Sequence, residues 1–238
     1  MITAIIPSKT SSNLFPCVEA ILALDPAVDV LVVDDGLDRI PGEARSILGA
    51  KPFIFARNVN LGIRGALDRG ADGVVIMNDD AILKTAGGLS ILAQIAADAP
   101  EIGIVASTCN NVGNRNQWPV GKVQMFGKLV DSLPGTKTAP GLRFDPRMVC
   151  FVCVYVPRRT IDRVGLLDER FVGYGFDDDD YCKRIRDAGF KIAITDDVFV
   201  DHGSLRSTFR GDPRTPANLQ QNSAIYREKW GEDNWGRK

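Results

Sequence analysis

Short apolar runs alternate with helix-like stretches over the first hundred residues, and this alternation constrains the fold more than any other feature. We predict strands at five runs: ITAIIP (2–7), VDVLVVDD (28–35), KPFIFA (51–56), GVVIMNDD (73–80) and IGIVAS (102–107). Between them we predict helices at 12–24, 39–49, 60–69 with Asn60 as N-cap, and 86–98. Strands that alternate with helices predict an α/β fold, a mostly parallel sheet with helices on both faces.

Residues 108–147 break this alternation, because they are rich in Asn, Gly and Pro and show little periodicity. An irregular segment of this length usually carries function in a compact domain. Beyond it we predict a strand at 148–156, helices near 158–164 and at 178–188, short strands at KIAI and VFVDH, and a helix around 218–230. A chain of 238 residues suits one large domain, or one domain with a lobe, better than two full domains.

The balance of charge argues against some partners. Lysine and arginine number 29 against 30 aspartates and glutamates, so no overall charge attracts nucleic acid or an anionic membrane. The longest apolar stretch, 148–156, is far shorter than the roughly 20 residues that span a bilayer. The opening MITAIIP has neither the basic region nor the cleavage site of a secretory signal. We therefore expect a cytoplasmic protein, with attachment to a membrane surface left open.

The five cysteines are an odd number, which fits a reducing compartment better than a disulfide framework. Cys150 and Cys153 have the C-x-x-C spacing of some redox and zinc sites. They lie in an apolar run, where the alternation of a strand would point them to opposite faces. Buried packing is therefore favoured over a redox or zinc role.

Polar residues follow the predicted strands where these end, namely Asp34, Asp35, Asn78, Asp79 and Asp80. Ligands of parallel sheets bind beyond the carboxyl ends of the strands. Adjacent carboxylates raise one another's pKa and are costly unless they are solvated or bound to a cation. The oxygens of 78–80 suit Mg²⁺ or Mn²⁺. A simple turn is the alternative, because Asn and Asp favour turns.

His202, the one histidine, also follows a predicted strand and is either a nitrogen ligand or a structural side chain. The run Asp177–Asp180 begins a predicted helix, where acids suit the helix dipole. This run is either a solvated helix start or the source of a general base, because nearby negative charge raises a carboxyl pKa. The dinucleotide motif G-x-G-x-x-G, the P-loop motif and the G-x-S-x-G elbow are absent from the chain.

Several segments in order resemble glycosyltransferase family 2, whose nucleotide-sugar enzymes have the GT-A fold. They are AIIPSK (4–9), LVVDDG (31–36), RNVNLGIRGALDRG (57–70), MNDDA (77–81), the long segment 164–192 with FDDDDYCKRIRDAG, and YREKWG (226–231), which is similar to rhamnosyl- and galactosyltransferase-like members. The resemblance covers nearly the whole chain. It implies a single GT-A domain with a nucleotide-binding half at 1–107, an acceptor and catalytic half at 108–204 and a C-terminal tail at 205–238.

The resemblance also implies an activity and a set of site residues. The activity is metal-dependent, inverting transfer of a hexosyl or related sugar from a nucleoside diphosphate sugar to an acceptor hydroxyl, with Mn²⁺ or Mg²⁺. The implied donor-binding residues are Pro7, Asp35, Asn60, Gly62, Arg64 and Asp79. The implied metal ligands are Asp80, His202 and, more weakly, Asn78. Asp178 would be the catalytic base, with Asp177 beside it in the place of the family's glutamate.

Donor and acceptor are less constrained by the resemblance. A UDP-sugar is the favoured donor, and the acceptor is open between a saccharide, a lipid-linked sugar, a protein side chain and a modified nucleobase. Trp118 and Phe126 are candidates to stack on a sugar ring, with buried packing as the alternative. The loop 108–147 and the tail with Arg206, Arg210 and Arg214 would close over the substrates.

Two other function classes stay open. Asn78 and Asp68 depart from the family's motifs, so one alternative is a relative that binds sugar or nucleotide without catalysis. The other is a receiver-like signalling domain, because LVVDD and VVIMNDD are similar to phosphoacceptor strands up to about residue 110.

Overall fold

A central mixed sheet dominates the computed structural model, which describes residues 1–125, 127–131, 141–145, 147–173, 175–205, 212–234 and 236. The strands are β1 (Ile2–Ser8), β2 (Asp29–Asp34), β3 (Arg45–Leu48), β4 (Gly73–Met77), β5 (Ile82–Leu83), β6 (Ile102–Cys109), β7 (Lys122–Met125), β8 (Lys128–Asp131), β9 (Leu142–Asp145), β10 (Cys153–Pro157) and β11 (Lys191–Asp201). The helices are α1 (Ser11–Leu24), α2 (Phe55–Leu67), α3 (Gly88–Asp98), α4 (Arg158–Val164), α5 (Asp177–Asp187) and α6 (Thr215–Trp230).

The sheet has the order β3-β2-β1-β4-β10-β6-β11-β5, with β9 also paired to β11. The first four strands are parallel, as are β6 and β11, whereas β10 runs antiparallel between β4 and β6. Strand β10 comes from the predicted acceptor half, so the two predicted halves share one sheet. β7 and β8 form a separate hairpin.

Helices cover both faces of the sheet because its central strands are apolar on both sides. Ala4 and Ile6 of β1 face a core built with α1 and α3, whereas Ile5 faces a core built with α2, α4 and α5. Each of these isoleucines is fully buried, which contributes about 1.5–3 kcal/mol of transfer free energy. The predicted α/β class with helices on both faces is confirmed.

Two predicted elements between β2 and β4 are wrong. Residues 39–49 contain no helix; Arg45–Leu48 instead forms β3, which pairs with the otherwise open edge of β2. Residues 51–56 are not a strand, because α2 begins at Phe55 and buries its apolar side against β1 and β2. Asn60 therefore lies in the middle of α2 and is not its N-cap.

The second half of the chain departs from the prediction in smaller ways. Strand β10 begins at Cys153 and not at 148, and the predicted strands KIAI and VFVDH are one irregular strand, β11. The irregular loop contains a 3-10 turn (Arg115–Gln117), the β7–β8 hairpin and β9. Phe126, Arg206 and Arg210 lie outside the described residues. In the described part of the chain, every helix is too short or too polar to span a membrane.

Candidate active site

Residues from distant parts of the sequence meet beyond the carboxyl ends of the parallel strands. Strands β1, β4, β6 and β11 all run toward this edge, and antiparallel β10 starts from it. A cavity of about 310 Å³ lies there. It is lined by seven of the residues predicted from the sequence: Pro7, Asn78, Asp79, Asp80, Asp177, Asp178 and His202.

Asp80 and His202 are brought together by the pairing of β5 with β11. In this antiparallel ladder Asp201 lies opposite Ile82. Asp80 and His202 lie just beyond this pair, at the cavity end of the ladder, and are therefore neighbours. The Nε2 atom of His202 lies 3.2 Å from Oδ1 of Asp80. Asn110 fixes this geometry, because its Oδ1 accepts the His202 backbone N–H at 2.6 Å and its Nδ2 donates to Asp201 at 2.9 Å.

The Asp80 and His202 side chains suit a divalent cation that takes its remaining ligands from the substrate and from water. A carboxylate oxygen and an imidazole nitrogen converge on one wall of the cavity, and the buried Nδ1 atom of His202 has no hydrogen-bond partner among the described residues. Across the described ranges, no three His, Cys, Asp or Glu side chains are grouped to hold a metal. Mg²⁺ commonly takes one or two protein carboxylates and completes its shell with phosphates and water. Asn78, on the same cavity, offers a further amide oxygen.

The start of α5 supplies a second acidic wall. Asp177, Asp178 and Asp179 line the cavity, and their position in the first turn places them at the positive end of the helix dipole. Asp180 has a different role. It is fully buried and bonds to Arg184 at 2.9 Å, to Lys229 at 2.8 Å and to the Trp230 indole at 2.9 Å, which fastens α6 to α5.

Burial gives the cavity carboxyls unusual proton affinities. It raises the pKa of Asp177 to about 6. Burial also raises the pKa of Asp178 well above its ordinary value, and the neighbouring carboxylates of Asp179 and Asp177 add to this effect. The pKa of Asp179 is raised for the same main reason, although its hydrogen bond with Asn234 opposes the change. Carboxylates with raised pKa values are suited to accept a proton near neutral pH.

Asp79 also lines the cavity. Its Oδ2 accepts a hydrogen bond of 2.6 Å from the Ser8 hydroxyl at the end of β1. Burial nevertheless raises its pKa to about 6. The side chain is therefore held by β1 rather than by the Asp80–His202 pair, although it borders the same space.

Asp35 lies next to this cavity but not on its lining. Its backbone N–H donates to Ser8 O at 2.8 Å, which ties the end of β2 to the end of β1. Its carboxylate is buried and pairs with Lys51 at 2.9 Å. Pro7, also on β1, does line the cavity. Two of the predicted donor-binding residues, Pro7 and Asp35, thus lie at adjacent strand ends.

The three predicted residues of α2 lie away from the cavity and contact the protein itself. Asn60 is buried and pairs with Leu167 in both directions, accepting from its N–H and donating to its carbonyl at 2.9 Å. Gly62 permits close packing on β1, because a Cβ there would lie 2.3 Å from Ile5 Cγ2. Arg64 is half-exposed, with Glu169 at 3.9 Å. Their donor-binding role stays a prediction.

Many of the residues that line the cavity could not be identified from the sequence. Lining residues that were not predicted include Phe53, Phe55, Met148, Phe151, Phe176, Leu219 and Asn234. The only available signal was their aromatic or apolar type, which equally suits the core. Trp118 instead packs against the core beside Val112, whose carbonyl accepts its indole N–H at 3.0 Å.

The two cysteines of the C-x-x-C spacing are not joined. Cys153 lies in β10 within the core, and Cys150 precedes the strand and borders the cavity. Burial raises the pKa of the Cys153 thiol to about 12 and raises that of Cys150 as well. Thiols of this kind are poor nucleophiles and poor redox centres.

Comparison with known proteins supports the fold. No family model matches the chain. The uncharacterized protein y4gI of Sinorhizobium fredii is 25% identical over 262 residues, which covers 97% of this chain and 27% of that protein. The crystal structure of GalNAc-T7 with UDP, GalNAc and Mn²⁺ aligns with a TM-score of 0.71 and 13% identity, over 98% of this chain and 49% of that one. The chain therefore spans about half or less of each, and its predicted GT-A fold is confirmed.

Proposed function

We propose that the protein transfers a sugar from a nucleoside diphosphate sugar, with a UDP-sugar favoured, to a hydroxyl of an acceptor. The observation that carries this proposal is the shared cavity, which joins the Asp80–His202 pair to the carboxylates of Asp177 and Asp178. The cavity lies where sheets of this type bind ligands. A neighbour with the same fold was crystallised with UDP and Mn²⁺, which agrees with a donor of this class.

The donor would lie with its base near Pro7 and Asp35 and its diphosphate at Asp80 and His202. A diphosphate is strongly anionic, and the cavity wall is acidic, so binding requires positive charge between them. Asp80, His202 and Asn78 would hold Mn²⁺ or Mg²⁺ there. When bound, this cation supplies the positive charge that stabilises the departing diphosphate.

Asp178 would act as the general base. Its carboxylate takes the proton of the acceptor hydroxyl as the oxygen forms a bond to the anomeric carbon, while the bond from that carbon to the diphosphate oxygen breaks. A single displacement of this kind inverts the anomeric configuration. The raised pKa of Asp178, caused by burial, favours proton uptake. Asp177, beside it, keeps the surroundings negative and supports this proton affinity.

The substitution Asp178→Asn tests the base directly. Release of UDP is measured with a panel of UDP-sugars, Mn²⁺ and simple glycosides as acceptors, and UDP binding is measured by calorimetry. We expect kcat to fall by about 10²–10⁴-fold, with UDP affinity unchanged. The matched control is Asp187→Asn on the last turn of the same helix, whose side chain is 54% exposed. Transfer by Asp178→Asn at the wild-type rate would show that another group is the base.

The same experiment separates the alternative functions. A relative that only binds would take up UDP with Mn²⁺ but release none from any donor. Absence of UDP binding in the wild type would contradict the proposal as a whole. The receiver-like alternative conflicts with the fold, because β10 lies inside the sheet between β4 and β6 and the sheet continues to β11.

A further inference from the structure

The segment that leads into the catalytic helix α5 rests against α6. Gly173 and Gly175 both have positive φ angles, +63° and +95°, which glycine adopts without steric cost. They also face α6 so closely that a Cβ on Gly173 would lie 2.2 Å from Asn218, and one on Gly175 would lie 2.7 Å from Leu219. This segment, Val172–Phe176 without the undescribed residue 174, thus takes its shape from the surface of α6.

Asn222 of α6 holds this segment through its side-chain amide. Its Oδ1 accepts the Val172 N–H at 2.8 Å, and its Nδ2 donates to the carbonyls of Val172 at 2.9 Å and Gly175 at 2.8 Å. The side chain is 0% exposed. Because the amide itself is shielded from water, its removal takes away three hydrogen bonds to a partly buried backbone. Asp177, on the cavity wall, is only two residues beyond Gly175.

Helix α6 also holds α5 on the other side of the catalytic carboxylates. Lys229 and Trp230 bond to buried Asp180, as described above. On the near side, within the segment that Asn222 holds, the ring of Phe176 packs 5.8 Å from that of Tyr226. Asp177 and Asp178 therefore lie between two attachments to one helix. The backbone before them is fixed by Asn222, and the turn after them is fixed by the Asp180 cluster.

We propose that Asn222 is a positioning residue for the catalytic base, acting through the Val172–Phe176 segment that sets where Asp178 stands in the cavity. This inference rests on the proposed function, because it concerns the step that Asp178 performs. Asn222 does not line the cavity itself, so its effect on catalysis passes through the segment that it holds. A shift of about 1 Å in a reacting group can cost about 10²-fold in rate.

The test compares Asn222→Ala with Asp25→Ala. Asp25 is 3% exposed and bonds Ser90 N and Oγ at 2.7 and 2.8 Å, so both substitutions remove a buried side chain that joins two elements. Asp25 is not part of the cavity lining. We expect Asn222→Ala to lower kcat by about 10–100-fold while the donor KM stays within about threefold. The Asp25 variant should change stability without changing kcat.

Other outcomes are also decisive. Equal losses of kcat in the two variants, or an unchanged kcat in Asn222→Ala, would overturn the positioning role. Either result would leave the proposed function standing as long as the wild type transfers sugar. If Asn222→Ala does not fold, Asn222→Asp keeps the size and the acceptor atom but loses the donors, and the same fall in kcat is expected. Wild-type protein without transfer would refute the proposed function itself.

Hydrogen exchange on the wild-type protein tests the same contact without any variant. The backbone N–H of Val172 donates a hydrogen bond to Oδ1 of Asn222. This N–H should exchange at least about 100-fold more slowly than an unstructured amide. Addition of UDP and Mn²⁺ should leave this protection unchanged, because Asn222 lies off the donor site. An unprotected Val172 amide would contradict the proposal whether or not transfer is observed.

Discussion

Replacement of Asp177 by asparagine should stabilise the folded protein at neutral pH. Asp177 is buried on the cavity wall, and burial raises its pKa from 3.8 to about 6. At pH 7.5 the Asp177 carboxyl of the folded protein is therefore charged, although its surroundings favour the neutral form. Asparagine has nearly the same shape and stays neutral at every pH in question.

The size of the effect follows from linkage between protonation and folding. A carboxyl whose pKa rises from 3.8 to about 6 on folding binds its proton more tightly in the folded state. It therefore supports folding below pH 3.8, and that support is lost as the pH rises through 6. Above pH 7 the cost of keeping it charged reaches about 3 kcal/mol. Asp177→Asn should gain up to this amount at pH 7.5 and almost nothing near pH 4.

Urea unfolding in EDTA at pH 4, 5, 6 and 7.5 measures this gain by linear extrapolation. Asp162→Asn is the control, because its side chain is 60% exposed and its pair with Arg158 is a surface ion pair, for which we expect a change within about 0.5 kcal/mol. The reasoning is refuted if Asp177→Asn is no more stable than the wild type at pH 7.5. A gain that stays constant across the pH range would also refute it.

Three further predictions concern other parts of the structure. Gly62→Ala should destabilise the fold by about 1–3 kcal/mol in urea unfolding, because the new Cβ would meet Ile5, whereas Gly65→Ala, with 3.5 Å of space, should be neutral or slightly stabilising. Asp180→Asn should cost about 3–5 kcal/mol, since it removes the buried partner of two cations, and a smaller loss would mean that α6 is held by other contacts. His202→Ala should weaken UDP binding measured by calorimetry with Mn²⁺ by about tenfold or more and leave binding in EDTA unchanged; equal affinities with Mn²⁺ would exclude the histidine from the cation site.

The strands that sequence reasoning located well are those buried on both faces. Strands β1, β2, β4 and β6 are continuous apolar runs that end in polar residues, so both their existence and their carboxyl ends can be read from the sequence. The acidic start of α5 was visible for a similar local reason. These elements bring Asp80 and Asp178 to one edge, and they made the common cavity predictable.

Elements that depend on distant partners were missed. Arg45–Leu48 becomes a strand because β2 has an open edge, and this hydrogen-bonding opportunity lies outside the local sequence. Phe55 begins a helix because α2 buries its apolar side against β1, although KPFIFA has strand-like composition. The antiparallel insertion of β10 likewise depends on the whole topology and has no local signal.

The buried amides of the site were invisible for a related reason. Asn110, Gln117 and Asn222 each bond the backbone of a residue on or near the cavity. Gln117, for example, accepts from Cys150 N at 2.6 Å and donates to its carbonyl at 3.1 Å. Such contacts have no periodicity, and an isolated Asn or Gln in a sequence is typical of an exposed loop. Only the folded structure shows whether such an Asn or Gln is exposed or is buried against the backbone.

The most direct test of the account is an anomalous difference map from crystals grown with Mn²⁺ and UDP. We predict one manganese peak bound to both Oδ1 of Asp80 and Nε2 of His202, with the diphosphate on the same ion and Asp178 facing the open side of the cavity. A manganese peak away from this pair, or UDP bound outside the cavity, would contradict it.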